Sequence, residues 1–130
     1  MTPYETATDQ TGNKLPQQPT HKLSFTAIYE QPIAVGDMQL LTTYSYTGDR
    51  HADIGNLSVH EIPAYGRWDV RATWNLPEKN LSTTFYVQNL LDEIGVIEYI
   101  PISTNSAVRS ATTMTNHRQI GLQVIYRLNN

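Results

Sequence analysis

The chain has 130 residues, a formal net charge of -3 and no cysteine. That length suits one domain with a sizeable core, and the lack of cysteine excludes disulfides and thiolate metal sites. The few basic residues are scattered, so no Lys/Arg run offers a patch for nucleic acid or anionic lipid.

Residues 1–20 are polar and rich in Thr, Gln and Pro, and read as loop. They lack the basic region and apolar run of a signal peptide. No stretch approaches the roughly 20 apolar residues of a transmembrane helix. That test is blind to membrane barrels, whose strands are apolar only at every second residue.

Alternation begins at about residue 21 and predicts a strand over 21–31. Leu23, Phe25, Ala27 and Tyr29 share one face; Lys22, Ser24, Thr26 and Glu30 share the other, broken only by Ile28. Pro32 is expected to end it, because proline cannot donate to the ladder. A short turn around Gly36 leads to a second strand over 37–47, with Met38, Leu40, Thr42, Tyr44 and Tyr46 aligned. A long polar loop, 48–64, follows. The third strand, 66–76, sets Trp68, Val70, Ala72, Trp74 and Leu76 against Arg67, Asp69, Arg71 and Asn75. Pro77–Asn80 makes a tight turn. The fourth strand, 81–89, aligns Leu81, Thr83, Phe85 and Val87. A second long loop is expected over 90–117, its Ile94–Ile102 stretch extending the fourth strand past a bulge. The last strand, 118–128, aligns Ile120, Leu122, Val124, Tyr126 and Leu128. No segment predicts a helix.

The fold class implied is all-β: an antiparallel meander of about five long strands. Each strand keeps one face free of charge, which a soluble sandwich also does. Two features discriminate. Soluble strands average about 5–6 residues, whereas a tilted strand crossing a bilayer needs about 9–11, and several runs here approach the longer figure. The connections alternate short, long, short, long, as in outer-membrane barrels. Tyr44, Tyr46, Trp68, Trp74 and Tyr126 lie toward strand ends and suit bilayer interfaces, though β-favouring core positions explain them equally well. In a barrel the apolar face meets lipid, and Arg67, Asp69 and Arg71 form a charge ladder facing the lumen.

Candidate chemistry is sparse. His51, Asp53, His60 and Glu61 share one loop, and as donors suit a metal or metal chelate. Their spacing matches no ligand motif, and a solvated loop explains them as well. Asp49-Arg50-His51 has no nucleophile beside it. Asp92 and Glu93 are adjacent on extended chain and point apart. No catalytic set, metal site or cofactor site emerges, so an enzyme is not expected.

Five segments in order carry a resemblance: Gly12–Phe25, Tyr44–Arg50, Pro63–Trp74, Phe85–Glu93 and Arg118–Leu128. Together they resemble the C-terminal end of a TonB-dependent outer-membrane receptor, over nearly the whole chain. In such receptors an Asn-Leu-x-Asp-Glu stretch, here Asn89–Glu93, follows a rising strand just before the last extracellular loop. The resemblance implies active uptake of a scarce nutrient such as a ferric siderophore, in the outer membrane of a Gram-negative bacterium. Cobalamin, sugars and plant compounds use the same architecture. The implied partners are outer-membrane lipid, the remaining barrel strands and plug, the TonB complex through that plug, and the barrel-assembly machinery, which reads the C-terminal strand (Ile120, Leu122, Val124, Tyr126, Leu128). No nucleic acid is implied. The family usually ends in Phe; here Leu128 stands in that place, followed by Asn129 and Asn130. About five strands are present, against about 22 in a plugged transporter barrel, so the sheet is expected not to close by itself. The alternative is a soluble β-sandwich or half-barrel binding module.

Overall fold

The computed structural model describes residues 9, 11–56, 58–104 and 107–128. The expected loop over 1–20 therefore lies partly, and Asn129 and Asn130 wholly, outside the described residues. Among the described residues nine strands form: β1 (Lys22–Ile33), β2 (Gly36–Thr47), β3 (Arg50–His51), β4 (Glu61–Ile62), β5 (Tyr65–Leu76), β6 (Leu81–Gln88), β7 (Val96–Thr104), β8 (Ala107–Met114) and β9 (Gln119–Tyr126). The main sheet is an antiparallel meander in the order β1-β2-β5-β6-β9. Among the described residues there is no α-helix, only 3-10 turns at Ser58–His60 and Pro77–Lys79.

Two expectations need correction. The loop 90–117 is largely a β-hairpin: β7 pairs with β8 in a sheet of their own. The Ile94–Ile102 stretch thus does not extend the fourth strand. Residues 96–104 are rich in β-favouring residues but find their partner in 107–114, not in the fourth strand. Loop 48–64 likewise contains the short pair β3–β4. A smaller difference lies at Pro32, which pairs with Asp37 as β1 runs on to Ile33. β1 is an edge strand, where a missing N–H on the outer side costs no ladder bond.

The short connections are built from turn chemistry. Gly36 closes the β1–β2 turn at φ +92°, and a Cβ there would lie 1.9 Å from the Asn75 carbonyl oxygen, so no other residue fits. Asn80, left-handed at φ 51°, ends the Pro77–Lys79 turn and donates its N–H to the Pro77 carbonyl. The Asn80 carbonyl accepts from the Arg127 N–H, tying the end of β9 to that turn.

The register makes one continuous apolar face. Phe25 stands opposite Tyr44, and Tyr44 opposite Trp68. Tyr29, Leu40, Ala72, Phe85 and Leu122 form a second row across all five strands, and Met38, Trp74, Thr83 and Val124 a third across four. The opposite face pairs polar groups: Thr26 with Thr43 at 3.1 Å, Thr73 with Thr84 at 3.0 Å, Gln39 Nε2 donating to Glu30 Oε1 at 2.6 Å, and Ser82 Oγ to Asn75 Oδ1 at 2.8 Å. A one-residue slip anywhere would exchange the two faces, so the alternation fixes the register.

Nothing covers the apolar face among the described residues. Phe25 is 68% exposed and Leu122 67%. Among the described residues the buried apolar side chains are Ala52, Ile62 and Leu76, of which only Leu76 belongs to the main sheet. The accessible surface is 10094 Å², whereas a compact chain of 14.7 kDa would expose about 6,900 Å². A sandwich needs a second sheet about 10 Å away, and the small sheets β3–β4 and β7–β8 belong to the loops between the long strands.

Candidate functional site at the loop end of the sheet

All the long connections emerge at one end. Strands β1, β5 and β9 run away from that end and β2 and β6 run back toward it, so loop 48–64, hairpin β7–β8 and the segment before β1 all gather there. Backbone bonds stitch them together. Gln17 N–H donates to the His51 carbonyl at 2.7 Å, Thr20 N–H to that of Asp49 at 3.1 Å, and Gly48 N–H to that of His21 at 2.7 Å. Lys14 Nζ lies 3.4 Å from Asp49 Oδ2. The Lys14 hydrogen bond and charge hold the Asp49 carboxyl below its ordinary range.

Asn89 is the knot of this end. It is 2% exposed and sits at φ 52°, a left-handed conformation that asparagine tolerates. Its Nδ2 donates to the carbonyls of Glu93 (3.0 Å) and Asn116 (2.9 Å), and its Oδ1 accepts from the Glu93 N–H at 3.1 Å. One carboxamide therefore ties together both feet of the β7–β8 excursion. The Asn89 N–H donates to Asp69 Oδ1 and the Leu90 N–H to the Trp68 carbonyl, fixing the knot to β5. Asp92 Oδ1 accepts from the Arg118 N–H at 2.6 Å, just before β9, and Glu93 Oε1 from the Gly66 N–H at 3.1 Å. The Asp92 carboxyl is held below its ordinary value by the Arg118 N–H and, against some burial, by His117. Asn89–Glu93 thus gives every polar side chain it contains a named partner.

Arg50 was not singled out by sequence beyond its place in Asp49-Arg50-His51. It is 4% exposed, and its Nη2 donates to the Val96 and Ile97 carbonyls, both at 2.6 Å. Those bonds clamp the base of the hairpin. Only its burial marks it, and burial is not readable from a short loop strand.

The structure brings part of the histidine set together. His51 pairs with Glu61 across β3 and β4. His60 Nδ1 contacts Asp53 Oδ2, and the His60 ring lies 5.8 Å from that of Tyr99 on β7. For Asp53, burial acts to raise the carboxyl, but His60 and the N–H groups of Gly55 and Asn56 outweigh it and leave it lowered. Among the described residues, no three His, Asp or Glu side chains meet in a way that would hold a metal ion. Arg67, Asp69 and Arg71 do share the polar face. Arg67 Nε donates to Asp69 Oδ1 at 2.9 Å, whereas Arg71 makes no ion pair among the described residues. Ile120, Leu122, Val124 and Tyr126 line the apolar face of β9; Leu128 lies beyond the strand and is exposed.

An open five-stranded meander, apolar on one face and polar on the other, with its elaborated loops at one end, is a segment of a large antiparallel barrel. The sequence profile described as TonB dependent receptor-like, beta-barrel, matches residues 2–90, and the chain belongs to that family, one of outer-membrane transport receptors. Among solved structures it is similar to the ferric yersiniabactin uptake receptor FyuA from Yersinia pestis, with a TM-score of 0.73 and 19% identity. That likeness concerns the fold, and covers 88% of this chain and 17% of the receptor. A search of curated proteins finds no match.

Proposed function

We propose that this chain is the C-terminal barrel segment of a TonB-dependent receptor that actively takes up a scarce nutrient, such as a ferric siderophore, across the outer membrane of a Gram-negative bacterium. The carrying observation is the uncovered apolar face spanning five strands. A 12-residue strand such as β5, rising about 3.3 Å per residue and tilted about 40°, crosses roughly 30 Å, the thickness of a bilayer core. Trp68 Nε1 donates to Thr42 Oγ1 and Trp74 Nε1 to the Val35 carbonyl, so both indoles keep their polar edge satisfied toward the ends of the band. Alone, five strands leave two edges whose unpaired backbone groups cost several kcal/mol each in hydrocarbon. The remaining strands and a plug complete the barrel, and TonB acts through that plug.

In this reading the loop end faces outward and contributes to the ligand rim, with His51, Asp53, His60 and Glu61 as candidate contacts. Arg67, Asp69 and Arg71 face the lumen. The FyuA likeness makes a ferric chelate the first substrate class to try. The test is uptake of a radiolabelled ferric chelate by iron-starved cells expressing a receptor that carries this segment. Uptake is expected to stop when the proton gradient is collapsed, and to fall when β7–β8 is deleted while outer-membrane insertion persists. Uptake indifferent to the gradient contradicts active transport.

A further inference from the structure

The start of β5 is the seat of the β7–β8 hairpin. The Gly66 N–H donates to Glu93 Oε1, the Trp68 carbonyl accepts from the Leu90 N–H, and Asp69 Oδ1 accepts from the Asn89 N–H at 2.8 Å. The first two use backbone groups of β5, which the strand ladder holds in place. The third uses a side chain, which something else must aim. Asn89 then passes that tie to both feet of the hairpin, through its bonds to the Glu93 and Asn116 carbonyls.

Arg67 does the aiming. Its Nε donates to both carboxylate oxygens of Asp69, at 2.9 and 3.1 Å, so Oδ1 is shared between Arg67 and the Asn89 N–H. Contact with both oxygens fixes the plane of the carboxylate, and its charge strengthens the bond from Asn89. The pair is neither buried nor fully solvated: its side chains are 37% and 35% exposed. Its strength therefore depends on the ions around it. Arg71 offers an internal comparison. It lies two residues further along the same face and makes no ion pair among the described residues.

We infer that the Arg67–Asp69 pair is an electrostatic latch for the outer hairpin. It aims the Asp69 carboxylate at the Asn89 N–H, and ions that draw Arg67 away release the hairpin feet while the sheet stays intact. The element with two arrangements is the foot, seated on Asp69 or released from it. Arg67 is a positioning residue: its hydrogen bonds among the described residues all go to Asp69, and it acts on the hairpin through that carboxylate.

The test is hydrogen exchange, read by NMR, on the full chain refolded in phosphocholine micelles. The reporters are the amides of Glu93, Gly95 and Thr115, which bond across the hairpin feet. Arg67→Gln should speed their exchange about two- to five-fold, the range of a half-screened ion pair, with β1 and β2 unchanged. Arg67→Lys keeps the charge and should recover part of the protection. Asp69→Ala removes the acceptor itself and should speed exchange about ten-fold or more. Arg71→Gln makes the same charge change on the same face and should have no effect. Raising salt from about 0.05 M to about 1 M should loosen the feet of the unaltered chain about two-fold and leave those of the Arg67→Gln chain unmoved. If Arg67→Gln has no effect while Asp69→Ala loosens the feet, the carboxylate needs no aiming and the latch is overturned. Equal loosening by Arg71→Gln reduces the effect to net charge and overturns it as well. Loosening that spreads to β1 and β2 also overturns it, because the whole sheet has then weakened.

Discussion

The sheet and its loop end are held together by opposite means. Across the main sheet, Phe25, Leu122 and their neighbours stay exposed, and order comes from ladder bonds and cross-strand pairs. At the loop end Arg50, Ala52, Ile62 and Asn89 are buried, and the segments are tied by side chains bonding to backbone. A water-soluble domain places its apolar core between its layers. On the proposed reading the sheet leaves that work to lipid, while the loops, which would meet water, satisfy themselves internally.

The largest way to break this contrast is to put a charge on the wrong face. Leu122→Arg and Leu40→Arg should each cost about 2–4 kcal/mol in bilayer vesicles, measured by urea titration, if the positions lie near mid-bilayer. Gln123→Arg, one residue away on the polar face, should cost about 0.5 kcal/mol or less. Equal costs would remove the distinction between faces. Next comes Asn89→Ala, which strips three bonds from a buried junction. It should destabilise the loop end by about 2–3 kcal/mol, seen as faster amide exchange at Glu93 and throughout β7–β8, with β1 and β2 unchanged. Arg50→Ala should act more locally, lowering exchange protection at the hairpin base by about 1–3 kcal/mol.

The smallest expected effect is that of pH at Asp92. Its carboxyl lies below the ordinary value of 3.8 when folded. The stabilisation it gives is therefore complete above that value and is lost as pH falls below it, through the folded pKa. Acidification below 3.8 should loosen the Arg118 amide in hydrogen exchange, and Asp92→Asn should make that amide loose and pH-independent.

Sequence carried the sheet further than the loops, for a physical reason. Period-2 alternation is a direct image of a face, so Trp68, Val70, Ala72 and Trp74 announce both the strand and the face they share. β1 ends at Ile33, one residue past Pro32, so the proline is a readable mark of the strand end. The β7–β8 hairpin is hard to read because Ala107–Met114 shows no clean apolar alternation; its base is held by the carboxamide of Asn89 and the guanidinium of Arg50, and such bonds leave no periodic trace. Asn89–Glu93 was legible as a signature through resemblance. Its work as a knot emerged only from the bonds it makes to Asn116 and Asp69.

The most direct measurement is lipid contact along β5, residue by residue. Single spin labels at 67 through 74, in the chain refolded into vesicles, report collisions with oxygen in the acyl region and with a water-soluble nickel chelate. Alternation is predicted: positions 68, 70, 72 and 74 meet lipid, and 67, 69, 71 and 73 meet water. Uniform access to the water-soluble reagent on both sets would contradict a membrane-facing sheet and leave the apolar face without an account.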